Sequence, residues 1–172
     1  MPFFVARCVS RHRAGAPLRG IIEGMEAAHL KEVRDALRVS GLQAGLELLN
    51  KRVLHRFTAV YQLDVDTLRN VAIVDKLGEV VPSDLLAVPL TSSFCQFVLR
   101  DGVFKLHGNE DARLEGHPYK GVVNSYVGLP LSKGAGDVVG TFCHFDFPAM
   151  ALSVITKMSV ELPGIVELPS FP

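Results

Sequence analysis

The sequence predicts an α+β domain built around an antiparallel sheet of about five or six strands, the usual size of a sheet. Three observations carry that expectation. An apolar stripe with helical spacing runs through residues 22–54. Period-two alternation of apolar and polar residues takes over from Arg56. Two pairs of strand-like runs are then joined by short polar links, the pattern of hairpins rather than of parallel crossovers.

Residues 1–20 carry Arg7, Arg11, Arg13 and Arg19 with no acidic residue, interspersed with Gly15, Pro17 and Gly20. They read as a flexible basic arm. Residues 21–40 read as a leading amphipathic helix. Ile22, Met25, Leu30, Val33 and Leu37 share one stripe, and Glu23, Glu26, Lys31, Glu32, Arg34, Asp35 and Arg38 fill the other face. Ser40-Gly41 punctuates it, and Leu42, Leu46, Leu49 and Val53 continue the stripe beyond. Two helices or one long kinked helix therefore precede the sheet. The remaining residues, 41–172, form the main domain.

Within that domain, Arg56–Asp64 is the first strand, with Phe57, Ala59, Tyr61 and Leu63 on one face and Thr58, Val60 and Gln62 on the other. After the turn Asp64-Val65-Asp66, residues 67–76 form its hairpin partner, with Leu68, Ala72 and Val74 set against Val71 and Ile73. Phe94, Cys95, Val98 and Leu99 have the spacing of a short helix, preceded by Ser and Thr hydroxyls that suit an N-cap and closed by Arg100-Asp101-Gly102. Residues 103–106 suit a short strand. Asn124–Leu131 and Asp137–Asp146 form a second hairpin around the Gly-rich loop 132–136. Residues 149–158 read as a closing helix, after which Pro163, Pro169 and Pro172 forbid helical continuation.

Composition narrows the classes of function. The chain has 172 residues, 48% of them hydrophobic and 21% charged, enough for a core and too apolar for disorder. Eighteen basic residues balance eighteen acidic ones, giving a formal net charge of +0. This disfavours a nucleic-acid partner, which wants a basic excess, and a polybasic membrane anchor. No run is long and apolar enough for a membrane span, and Arg7 breaks the short apolar run at the N-terminus. Cys8, Cys95 and Cys143 are odd in number and form no CxxC pair, so a reducing cytoplasmic setting is expected and a disulfide framework is not.

Two segments read VPLTSSFCQFVLRDGVFKLHGNEDARLEG and VNSYVGLPLSKGAGDVVGTFCHFDFP. They resemble the GAF domain family, small-molecule sensor domains related to PAS. Ser93-Phe94-Cys95 resembles the start of the family's first pocket helix. The run from Ser125 to Leu131 resembles its SYxGxPL strand, and Gly140-Thr141-Phe142-Cys143 its GTLC segment. The resemblance covers roughly residues 40–158. It implies a GAF/PAS-like sheet with helices on both faces, one face closing over a pocket together with residues 110–123. It further implies a non-catalytic sensor or small-molecule-binding module, acting in signalling or regulation. Such domains are often homodimers, here expected along the leading-helix stripe, with a signalling protein as a possible partner.

Three specialised uses of the family can be compared residue by residue. Asn50-Lys51 is present, but no Phe is followed at the required spacing by Asp-Glu, against cyclic-nucleotide binding. Cys95 is followed by Gln96 rather than His, against bilin attachment. Free methionine sulfoxide reductases of this family use several cysteines. Cys95 matches one position, but residues 111–124 contain none, leaving a thiol-dependent redox enzyme using Cys95 as one alternative and a pure dimerisation module without ligand as the other.

The pocket candidates are Tyr61, Asn70, Ser93, Phe94, Cys95, Asn124 and Tyr126, a mixture of apolar walls and few polar groups. At most one of Asn124 and Ser125 would face a ligand, since neighbours on a strand point oppositely. Cys95 reads either as an activated thiol at a helix start or as a small buried hydrophobe, the latter favoured because no basic residue adjoins it. Gly128 and Gly140 read as bulge positions. Cys143-His144 cannot chelate one metal from opposite faces, and the GxGxxxG run at 134–140 leads into a strand rather than a phosphate-binding helix. The ligand is an unidentified small molecule, and no metal or cofactor is required.

Overall fold

The computed structural model describes residues 16–133 and 137–148, with side chains from residue 28 onward. Helix α1 (Ala16–Asn50) leads into strands β1 (Phe57–Asp64) and β2 (Thr67–Asp75). The short edge strand β3 (Ala87–Pro89), helix α2 (Cys95–Asp101) and strand β4 (Phe104–His107) follow. Strands β5 (Ser125–Lys133) and β6 (Asp137–Asp146) complete the sheet. Its order is β3-β2-β1-β6-β5-β4, and every neighbouring pair is antiparallel. The two hairpins therefore lie side by side, β1 against β6, and each contributes a central strand. The expected closing helix at 149–158 lies outside the described residues.

Helix α1 starts at Ala16, inside the stretch read as a loose arm, and is broken at Gly41, where φ is 85° and ψ is −179°. That backbone belongs to the region glycine enters without steric penalty. The two arms fold back on each other. Gly45 lies directly under Leu37, and any Cβ there would run into that side chain. Glu32 and Arg52 close the other end with a 2.8 Å ion pair. Val33 is buried with Leu46 and Leu49 against Val60, Leu131 and Phe142 on the back face of the sheet, and Leu37 packs beside them. The stripe expected at a dimer seam is thus used within the chain at Val33 and Leu37. Leu30 is half-buried, and the side chains of Ile22 and Met25 lie outside the described residues.

The strand alternation holds in β1. Phe57, Ala59 and Tyr61 enter the front cluster, with Leu63 packed against it, whereas Val60 enters the back one. In β2 it fails midway. Val60 pairs with Ala72 but Tyr61 pairs with Asn70, so Val71 is an extra residue on its strand. A one-residue bulge reverses the facing of everything beyond it. Leu68 accordingly faces the front with Ile73, whereas Val71, Ala72 and Val74 pack at the back. Strict alternation had set Leu68 with Ala72 and Val74.

The front face carries α2, the turns of residues 83–92 and the 110–123 segment; the back face carries α1. Gly128 is a close approach rather than a bulge. A Cβ there would lie 2.6 Å from both Val98 on α2 and the Tyr126 hydroxyl. Gly140 sits next to a register shift and under the Tyr61 carbonyl oxygen, with which a Cβ would collide. Pro130 lies beyond the last β4 pair at Gly128, so its missing N–H takes nothing from the ladder.

Candidate functional site

A cavity of about 60 Å³ lies between α2 and the front of the sheet. Tyr61 from β1, Val88 from β3, and Ser93, Phe94 and Cys95 from the start of α2 line it, with Tyr126 from β5 and Cys143 and Phe145 from β6. Leu85, Tyr119, Val123 and Phe147 complete the wall from the flanking loops. At the 10–15 Å³ that one water-sized group needs, it holds roughly four to six of them, a compact occupant.

Phe94 organises the rings around it. Phe104 and Tyr126 meet it edge-on at 5.8 and 5.5 Å, and His117 lies at 4.7 Å. Such offset and edge geometries are the favourable ones for aromatic pairs. The cap of α2 is local: the Cys95 N–H donates to Ser93 Oγ at 3.1 Å. Gly102, with φ at 81°, ends the helix.

The polar groups at the cavity floor converge on one sulfur. Thr141 Oγ1 donates to Cys95 Sγ at 3.1 Å, and Tyr126 Oη lies 3.3 Å from it. The Cys143 thiol lines the same cavity. With those hydroxyls it holds Cys95 below the ordinary thiol range despite complete burial. Cys143 is pushed well up by Cys95 and by burial. The sequence showed no cation beside Cys95, and none is needed here, because hydrogen-bond donors stabilise the thiolate. Burial drives the Tyr126 hydroxyl far above its usual value, so it remains a proton donor at neutral pH.

The remaining sequence candidates separate clearly. Tyr61 lines the cavity and donates its hydroxyl to the Leu85 carbonyl at 2.9 Å, tying β1 to the loop above. Ser93, Phe94, Cys95 and Tyr126 line it as well. Asn70 does not. Its amide donates to the carbonyls of Val60 and Ala72 and holds the Val71 bulge. Asn124 lies at the sheet end, donating to the carbonyls of Gly121 and Phe147. Ser125 faces the back, 2.7 Å from His55 Nε2.

Sequence reasoning missed Cys143 as a partner of Cys95. The signal was its parity: Thr141, Cys143 and Phe145 alternate onto the front face, and Phe142 and His144 onto the back. It also missed a buried polar cluster behind the sheet. Asn50 Nδ2 donates to Thr58 Oγ1 at 2.8 Å, and Thr58 Oγ1 lies 2.8 Å from His144 Nδ1. The rings of His144 and His55 stack 6.0 Å apart. His55 Nδ1 and His144 Nε2 are buried with no partner among the described residues. Burial pushes both histidines down, His144 to about 3.

No protein-family model matches the chain, and no curated protein sequence does. Solved structures match it well in shape. The GAF domain of a phosphoenolpyruvate-protein phosphotransferase from Acinetobacter superposes with a TM-score of 0.64 at 15% identity, covering 82% of this chain and 92% of its own. Free methionine-R-sulfoxide reductase from Neisseria meningitidis, in complex with its substrate, gives 0.64 at 13%, covering 83% and 86%. The phycocyanobilin-bound GAF domain of a cyanobacterial phytochrome gives 0.57 at 12%, covering 81% and 94%.

These likenesses correct one expectation. The sequence points to a non-catalytic module, yet several of the structures that share its fold are sulfoxide reductases, which are enzymes. Among the described residues no helix is long and apolar enough to cross a membrane. Identities this low speak to architecture alone, and the architecture agrees over about four fifths of the chain: the chain has the GAF-domain fold.

Proposed function

We propose that the protein is a small-molecule-binding module of the sensor type, taking a compact, largely apolar ligand into the cavity beneath Phe94 and passing its occupancy to a partner protein. The observation that carries this reading is the cavity itself: apolar walls from four strands and α2, with a few polar atoms gathered at one end. Such concave apolar sites with a few convergent polar groups are where small ligands bind. The Acinetobacter and phytochrome GAF domains support it by shape. Native mass spectrometry of the purified protein tests it. A retained small molecule that is lost in Phe94→Ala supports binding. An unliganded mass, with no thermal shift across a library of compact apolar compounds, overturns it.

A second reading is favoured by one specific observation, the convergence of the Thr141 hydroxyl, donating at 3.1 Å, and of Tyr126 Oη, at 3.3 Å, on the Cys95 sulfur that lines the cavity. In it the protein is a thiol-dependent redox enzyme, and a free methionine-R-sulfoxide reductase from Neisseria meningitidis shares its fold. Turnover of free methionine sulfoxide with a dithiol reductant, abolished in Cys95→Ser, supports it. A rate unchanged by that substitution ends it.

A further inference from the structure

We propose that Cys95 and Cys143 form a reversible redox pair, closing to a disulfide across the floor of the cavity when a hydroperoxide enters it. Four observations place the pair. Both sulfurs line the same small cavity. The strand that carries Cys143 touches the other sulfur, since Thr141, two residues before it on the same face of β6, donates to Cys95 Sγ at 3.1 Å, and each thiol is the strongest influence on the other. Gly128, the register partner of Cys143, has no side chain, so α2 can settle against the sheet at that level. The two thiols are also unequal. Thr141 and Tyr126 gather around Cys95, which makes it the nucleophile, and Cys143 keeps its proton until a second step.

The chemistry balances without a metal. The Cys95 thiolate attacks one peroxide oxygen; the S–O bond forms, the O–O bond breaks, and the departing oxygen leaves as water or an alcohol after taking a proton. The Cys143 sulfur then attacks the sulfur of the Cys95 sulfenic acid. The S–S bond forms, the S–O bond breaks, and the oxygen leaves as water with the Cys143 proton. Two thiols lose two electrons and two protons in total, and the peroxide accepts them. An external dithiol reverses the change by thiol–disulfide exchange. The pair brings together α2 and β6, elements distant in sequence, so closure pins the helix over the cavity.

The pair is independent of what the cavity binds and shares with the second reading only the nucleophilic Cys95. The test uses the full chain with Cys8→Ser, which leaves two thiols, treated with hydrogen peroxide under native conditions. The expected result is loss of both thiols together, a mass lower by two hydrogens, a peptide linking Cys95 to Cys143, and full recovery with dithiothreitol. In the same background Cys143→Ser is expected to gain oxygen on Cys95, trapped by dimedone. If that variant does not fold, the linked peptide in the Cys8→Ser protein decides alone. Two free thiols after exposure overturn the proposal, as does Cys95 carrying oxygen beside a free Cys143. Peroxide-driven disulfide formation is read without ligand and without sulfoxide turnover, so its outcome is separate from those of the binding and reductase readings.

Discussion

The two faces of the sheet use the same strands for opposite ends. On the back, Val33, Leu46, Leu49, Val60, Leu131 and Phe142 close tightly under α1, and the polar groups there run in a chain from Asn50 through Thr58 to His144, with one ring nitrogen each of His144 and His55 left without a partner among the described residues. On the front, bulky rings meet edge-on and leave a cavity, and the polar groups point at a sulfur that faces it. Buried polarity is thus no marker of a site by itself. It marks one where the groups converge on an atom that open space can reach.

The contrast predicts that damage at the back lowers stability and leaves the thiol alone. Leu46 is fully buried under the helix break, so Leu46→Ala should cost about 3–4 kcal/mol by loss of contacts and the cavity left behind. Denaturant unfolding measures the cost. The alkylation rate of native Cys95 by iodoacetamide should stay within about twofold, and a large change would break the division between faces.

Acid should act at the back as well. His144 and His55 are held neutral in the fold, with values below the roughly 6.5 of an unfolded histidine. Between pH 6.5 and about 3 the unfolded chain therefore binds more protons. Stability is full above pH 6.5 and falls as pH drops, by about 1.4 kcal/mol per unit for each histidine that stays neutral. Urea midpoints from pH 7 to 5 should show a loss of roughly 2 kcal/mol or more, and His144→Gln should flatten the slope.

At the front, Gly128→Ala pushes a methyl group into Val98 and the Tyr126 hydroxyl. A cost of about 2 kcal/mol is expected from overpacking. Unlike Leu46→Ala, it should change Cys95 alkylation several-fold, because α2 must shift. An unchanged rate would mean that the helix position does not govern the thiol. The smallest effect belongs to neither face. Val65, at the β1–β2 turn, is 91% exposed and has φ at 56°, a left-handed conformation costly for a branched residue. Val65→Asn should add about 0.5–1 kcal/mol to stability with Cys95 reactivity unaltered, a control for the other variants.

Strands and helix starts were legible because each is set by nearby residues: the alternation of Phe57 to Leu63, the serine before Cys95, the glycine at 41. What escaped depends on strand pairing. Nothing in residues 67–75 says that Val71 bulges until Tyr61 pairs with Asn70, and Asn70 then reads as a clamp on that bulge rather than a pocket residue. In sequence Cys143 stands beside His144, whereas its partner lies on α2 and is brought near by the β5–β6 register and by Gly128. His55 sits in an irregular link before β1, where no periodicity flags it. The leading stripe was legible as apolar, but which surface it covers depended on the fold-back at Gly41.

The brevity of the outer strands has a consequence for behaviour in concentrated solution. A chain of zero formal charge lacks the mutual repulsion that keeps many proteins apart. Unpaired strand backbone would then invite copies to add to the sheet edge to edge. Here β3 offers three residues ending in Pro89, and β4 offers four with Lys105 among them. Among the described residues each rim offers a neighbour three or four positions at most, so resistance to edge-to-edge association is expected from the geometry of the sheet margins rather than from charge.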